Sequence, residues 1–95
     1  MAQSLGTPFA GVQTATASAV ALPSQLMING VVLKADYANA GTILIGPCAT
    51  LTTANGYPLK AGEAISYGPA NIVNNLSSIC IIDTVTTDII HFTGN

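Results

Sequence analysis

Turn-forming residues interrupt this chain too often for anything but short elements. Asn29-Gly30, Gly46-Pro47, Asn55-Gly56 and Gly62 cut it into brief aliphatic runs, and Asn-Gly between such runs is the strongest short-range turn signal. None of the runs carries a capped helical pattern. They alternate instead. In VVLKAD (31–36), Val31, Leu33 and Ala35 share one face while Val32, Lys34 and Asp36 share the other, the period of a half-buried strand. YANAG has hairpin-loop length, so VVLKADYANAGTILIG (31–46) reads as a hairpin with TILIG (42–46) as its return strand. ATLTT (49–53) reads as a short β-branched strand running into the Asn55-Gly56 turn. Pro58 suits the start or edge of a strand. Beyond the Lys60–Gly62 turn, EAISY (63–67) sets Ile65 and Tyr67 on one face. The Asn-rich stretch 69–77 reads as a loop with a helical turn or an irregular strand. SICIID (78–83) and DIIHFTG (88–94) are two more strands, and the branched apolar run ICII points to burial on both faces.

About seven strands at the roughly 8–12-residue spacing of such folds make the chain all-β, a small antiparallel sandwich or jelly-roll-like barrel. The first 22 residues stand apart. Ala15, Ala17, Ala19 and Ala21 alternate with Thr16, Ser18, Val20 and Leu22, which favours an extended N-terminal arm over 1–22, ordered against a neighbour, with the β-domain spanning 23–95.

Charge then narrows the partners. Only 6% of the 95 residues are charged, and the net charge is -2, against about 25% charged residues in an ordinary soluble domain. There is no basic footprint for nucleic acid and no polybasic membrane patch. No apolar run approaches the ~18 residues of a membrane span. The N-terminus lacks the cationic and compact apolar regions of a signal peptide, so the chain is expected to be used where it is made. With 49% apolar residues it is not a disordered composition. A small β-domain with so little charge is suited to life inside an assembly, where copies cover each other's apolar surface and strand edges. A homo-oligomer is expected, with the arm in the contact.

The titratable residues are few. Lys60 and Glu63 flank a turn and read as a solvated ion pair. Asp83 and Asp88 bracket TVTT and read as acceptors for turn amides; a calcium ion held between them is the rival reading, without any loop pattern to favour it. His91 with Asp88 and a serine matches nucleophilic catalysis only by residue type, and no GxSxG elbow accompanies them. No phosphate-binding glycine motif occurs. No catalytic, cofactor-binding or metal-ligating residue is assigned, and the chain is expected not to be an enzyme. Cys48 and Cys80 read as two small buried apolar side chains, with a disulfide open to them in an oxidising medium. Tyr37, Tyr57 and Tyr67 beside Asn and Gly suit either structural loop bases or a recognition tip.

Three stretches, NGVVLKADYANAGTILIG (29–46), ANGYPLKAGEAISY (54–67) and LSSICIIDTVTTDIIHFTG (76–94), together resemble small virion proteins of tailed bacteriophages. The shared pattern is a strand with a central Lys, an N-x-G loop, an aliphatic strand ending in Gly, G-aromatic-P-L-x-x-G-E, a Leu-led aliphatic strand and a closing strand with an aromatic. The chain departs from it at Cys48 and at the Asn-rich 71–75. The resemblance is to head decoration (cement) proteins. It implies a trimer on the outer capsid surface of the virion, made in the host bacterial cytoplasm, with the phage major capsid protein as partner. A receptor- or glycan-binding fibre or adhesin knob is the alternative, with Tyr37 and Tyr57 on one tip; a head–tail or tail structural component is another.

Overall fold

A computed structural model describes residues 8–27, 29–67 and 74–95. Residues 1–7 of the expected arm and 69–73 of the Asn-rich stretch lie outside the described residues. Among the described residues ten strands form: β1 (Phe9–Thr14), β2 (Val20–Ala21), β3 (Leu26–Met27), β4 (Val31–Ala35), β5 (Ile43–Pro47), β6 (Tyr57–Leu59), β7 (Ala64–Tyr67), β8 (Asn74–Asn75), β9 (Ile79–Asp83) and β10 (Ile89–Gly94). Two four-stranded antiparallel sheets face each other, in the orders β1-β10-β4-β7 and β2-β9-β5-β6, and β3 pairs with β8. The fold is a sandwich and not a closed barrel. Within the 1–22 segment, β1 and β2 are extended, pairing with β10 and β9 of the same chain.

The inner faces supply the core. Leu33, Ala35 and Ile90 from the first sheet meet Ile43, Ile45, Leu59 and Ile81 from the second, all essentially without solvent contact. β9 is buried at every position, for two different reasons. Ile79 and Ile81 face the core. Cys80 and Ile82 face outward, where they form a smaller cluster with Leu44 and Leu51. Leu51 belongs to the loop 48–56, which folds back as a lid over the outer face of the second sheet.

That lid replaces the strand expected at ATLTT. Thr50 and Leu51 donate their amides to Pro47 O (3.1 and 2.9 Å), and Asn55 bridges to Thr52 N (2.7 Å) and Thr50 O (2.7 Å). Thr50, Leu51, Thr52, Asn55 and Gly56 thus commit their amides within the loop and not to a ladder. A Cβ on Gly46 or Gly56 would stand 2.9 Å from Leu51 Cδ1, so both glycines make room for the leucine.

Residues 31–46 are not a hairpin. β4 lies in the first sheet and β5 in the second, so 36–42 crosses between them. The same holds for 15–19, 60–63 and 84–88, and all four crossings gather at one end of the sandwich. At the other end Asn29 and Asn95 close the chain, through Asn29 N to Asn95 O (2.8 Å) and Asn95 N to Gly30 O (3.1 Å). Here Gly94 is forced by close approach: a Cβ would lie 2.2 Å from Gly30 O and 2.9 Å from Val31 Cα, both backbone atoms. Gly94→Ala is expected to cost about 2–4 kcal/mol, read as a lower urea midpoint at unchanged m-value.

The two cysteines are bonded, with Cα atoms 4.8 Å apart. This corrects the expectation of two separate buried thiols. The β5–β9 register sets Gly46 opposite Cys80 and Pro47 opposite Ile79, and Cys48 N then donates to Ser78 O (3.0 Å). Pairing of the two strands therefore delivers Cys48 to Cys80, a juxtaposition that sequence spacing does not reveal.

Candidate functional site

With the second sheet under its lid, the outer face of the first sheet is the open surface. Strand alternation places Ala10, Val12 and Thr14 of β1, His91 and Thr93 of β10, Val32 and Lys34 of β4, and Ala64 and Ser66 of β7 on it. The register aligns them in rows: Val12 beside His91, His91 beside Lys34, Lys34 beside Ala64; and Ala10, Thr93, Val32, Ser66. Val12 is 57% exposed and Val32 42%. Small hydroxyl and aliphatic side chains make such a face flat, and Lys34 and His91 are its ionisable members.

Those two are tied down. His91 Nε2 lies 2.8 Å from Asp36 Oδ1, and Asp36 Oδ2 accepts the Ala38 amide (3.0 Å). The hydrogen bond with His91, then that from Ala38, hold the Asp36 carboxyl below its usual range. Lys34 Nζ donates to Tyr37 Oη (3.1 Å) and stands 4.6 Å from the centre of that ring, a cation–π contact. The carboxylate beside His91 is therefore Asp36, 55 residues away in sequence, and not the nearby Asp88. No signal within either segment announces that pair; it follows from β4 lying beside β10.

Asp83 and Asp88 accept turn amides, as their positions imply. Asp83 takes Val85 N (3.3 Å) and Asp88 N (3.0 Å); Asp88 takes Ala40 N and Gly41 N (2.9 Å each). Asp88 thus reaches across to a second crossing. Glu63 Oε1 accepts the Lys60 backbone amide (2.8 Å), closing the turn through the main chain. Among the described residues, no three His, Cys, Asp or Glu side chains group to hold a metal ion.

No family model, curated protein or solved structure matches the chain. Function therefore has to be argued from the surface. Tyr37 and Tyr57 are both exposed, at 77% and 55%, but they do not share a tip. Tyr37 packs against Gly62 in the turn beyond β6, where a Cβ would meet its ring at 3.0 Å. Tyr57 opens β6, opposite Ile45, toward the end where it adds to the burial-driven rise of the Tyr67 hydroxyl pKa. Among the described residues no helix is long and apolar enough to cross a membrane.

Proposed function

We propose that this chain is a structural virion protein, a decoration protein that coats the outside of a bacteriophage head as a homo-oligomer and stabilises contacts between capsid subunits. The observation that carries the reading is the flat outer face of the first sheet, where small aliphatic and hydroxyl side chains surround Lys34 and the His91–Asp36 pair. The ionisable groups of that face are already paired on it, Lys34 with Tyr37 and His91 with Asp36, so covering the rest of it desolvates mainly small neutral side chains. The opposite sheet hides its own apolar side chains under a lid. Many weak copies of such a contact, repeated over a lattice, hold through multivalency.

The disulfide fits the same setting. Bonds of this kind persist on virion surfaces and in other oxidising media, and are rare in a reducing cytoplasm. The resemblance of residues 29–94 to cement proteins supplies the phage and the major capsid protein as partner.

A second reading, a receptor- or glycan-binding knob, is favoured by the exposure of Tyr37 and Tyr57 and disfavoured by their separation along β6. Copy number decides between them. Quantitative mass spectrometry of virions from the encoding phage is expected to find hundreds of copies per particle. A handful of copies would assign the chain to a fibre or tail and end the decoration reading.

A further inference from the structure

A sandwich of two four-stranded sheets has four edges, and among the described residues three of them are short or interrupted. β2 is two residues long, β6 carries Pro58 at the centre of its three residues, and β7 has four residues directly behind Glu63. β1 differs. It runs six residues in unbroken register with β10, from Phe9 opposite Gly94 to Thr14 opposite Ile89. It contains no charge, proline or bulge, which are the devices that keep edge strands from pairing with other chains.

The direction of its free backbone groups follows from alternation. Ala15 N donates to Asp88 O (2.8 Å), so Phe9, Gly11 and Gln13 also point their amides and carbonyls at β10. Ala10, Val12 and Thr14 point theirs away from the sheet. Their side chains lie on the open outer face. Among the described residues, a side chain reaches one of these outward backbone groups at Thr14 O, which accepts from Gln13 Nε2 (3.1 Å).

We propose that β1 pairs antiparallel with β1 of a second copy, across a two-fold axis through Val12, joining two first sheets into one continuous sheet of eight strands. The strand fits itself. Neutral backbone meets neutral backbone, with no like charges brought together. Ala10 then stands opposite Thr14, and Gly11 opposite Gln13, so a small residue faces a larger one at each step. Val12 faces its own copy, which covers one of the more exposed aliphatic side chains. The three outward residues of each strand exchange about six backbone hydrogen bonds. This contact is independent of the decoration reading and adds to whatever contact closes a larger ring.

The test is sedimentation equilibrium with Val12→Lys and oxidative cross-linking with Val12→Cys. Native protein is expected to form even-numbered assemblies, and Val12→Lys, which opposes two ammonium groups at the axis, to weaken pairing at least ten-fold with unchanged far-ultraviolet circular dichroism. Residues opposed in a bonded antiparallel pair have Cα atoms about 5.5 Å apart, within disulfide range. Val12→Cys should therefore cross-link, and Ala10→Cys, far from its own copy, should not. A native chain that stays monomeric at millimolar concentration, a trimer without further pairing, unchanged pairing in Val12→Lys, or equal cross-linking of both cysteine variants would overturn the proposal. Loss of shell binding by Val12→Lys in a protein that is monomeric throughout would give the edge to the capsid protein instead, overturning self-pairing while leaving decoration intact.

Discussion

Reducing the Cys48–Cys80 bond, or replacing both cysteines by alanine, is expected to lower the unfolding free energy by about 4 kcal/mol. The bond closes a loop across a separation of 32 residues, and constraint of the unfolded chain by a loop of that length falls between the ~3 kcal/mol of a 15-residue loop and the ~5 kcal/mol of a 100-residue one. Small domains have little stability to lose. At about 4–8 °C per kcal/mol for a domain of this size, the melting temperature should fall by about 15–30 °C. The loss has a place as well as a size. The bond anchors one end of the lid to β9, and Leu51 in the lid covers Leu44, Cys80 and Ile82. Reduction should therefore speed hydrogen exchange at the amides of Thr50 and Leu51, which bond to Pro47 within the lid, before it reaches those of β10. Leu51→Ala in the oxidised protein separates the two contributions: it should cost about 2–4 kcal/mol by loss of packing alone and leave the loop closed. A reduced protein that melts within about 3 °C of the oxidised one would refute the assignment of the bond as the main staple.

Period-two patterning in VVLKA and AISY, and the dense branched runs in ICIID and IIHFTG, identify four of the longer strands, and full burial of β9 is readable from its branched apolar run. What alternation does not carry is which sheet a strand joins. VVLKA and ILIGP look the same to a periodicity argument whether they turn back on each other or cross between sheets, because alternation says which face a residue takes and not which strand it pairs with. The choice is made by contacts distant in sequence. Asn39 Nδ2 donates to Ile89 O (2.9 Å) and Asn39 Oδ1 accepts Ile89 N (2.8 Å), while Thr84 Oγ1 accepts Thr42 N (2.9 Å). Both backbone groups of Thr42 are thereby committed to Thr84, through Thr42 N and Thr42 O, and not to β4. ATLTT departs from its pattern for a related reason, since β-branched residues suit a strand only where a partner edge is free, and Pro47 and the bond at Cys48 turn the chain away from one. The face proposed to bind a shell is half legible: the polar or small positions can be read, but their alignment into rows requires the order β1-β10-β4-β7.

The crossings end on two buried carboxylates, and a pair of conservative substitutions there should have opposite outcomes. Asp83 is 2% exposed and Asp88 4%. Burial pushes the Asp83 carboxyl up, and the facing Asp88 adds to this against the pull of the Asp88 and Val85 amides. Asp88 resists its own burial, and contact with Asp83 and the N–H groups of Ala40 and Gly41 leave it below the usual range. The two directions set the order of ionisation: as pH rises, Asp88 loses its proton before Asp83. Unfolded, both would titrate near about 3.9. The lowered group contributes stability above that value and loses it as pH falls through its folded pKa; the raised group contributes below that value and loses it as pH rises through its own. Their joint contribution is greatest at about pH 4 and declines as pH rises through the folded pKa of Asp83. Asp88→Asn removes the charge that two amides share and turns an NH₂ toward one of them, so it should cost about 3 kcal/mol at pH 7. Asp83→Asn mimics the protonated form that burial favours. It should cost less than Asp88→Asn and flatten the decline on the alkaline side of the maximum, measured as urea unfolding free energy against pH relative to the native chain. Asp36 adds its own loss on the acid side, because it is lowered, so the decline on the alkaline side of the maximum reads Asp83. Equal penalties for the two substitutions, or an undiminished slope in Asp83→Asn, would overturn this order of ionisation.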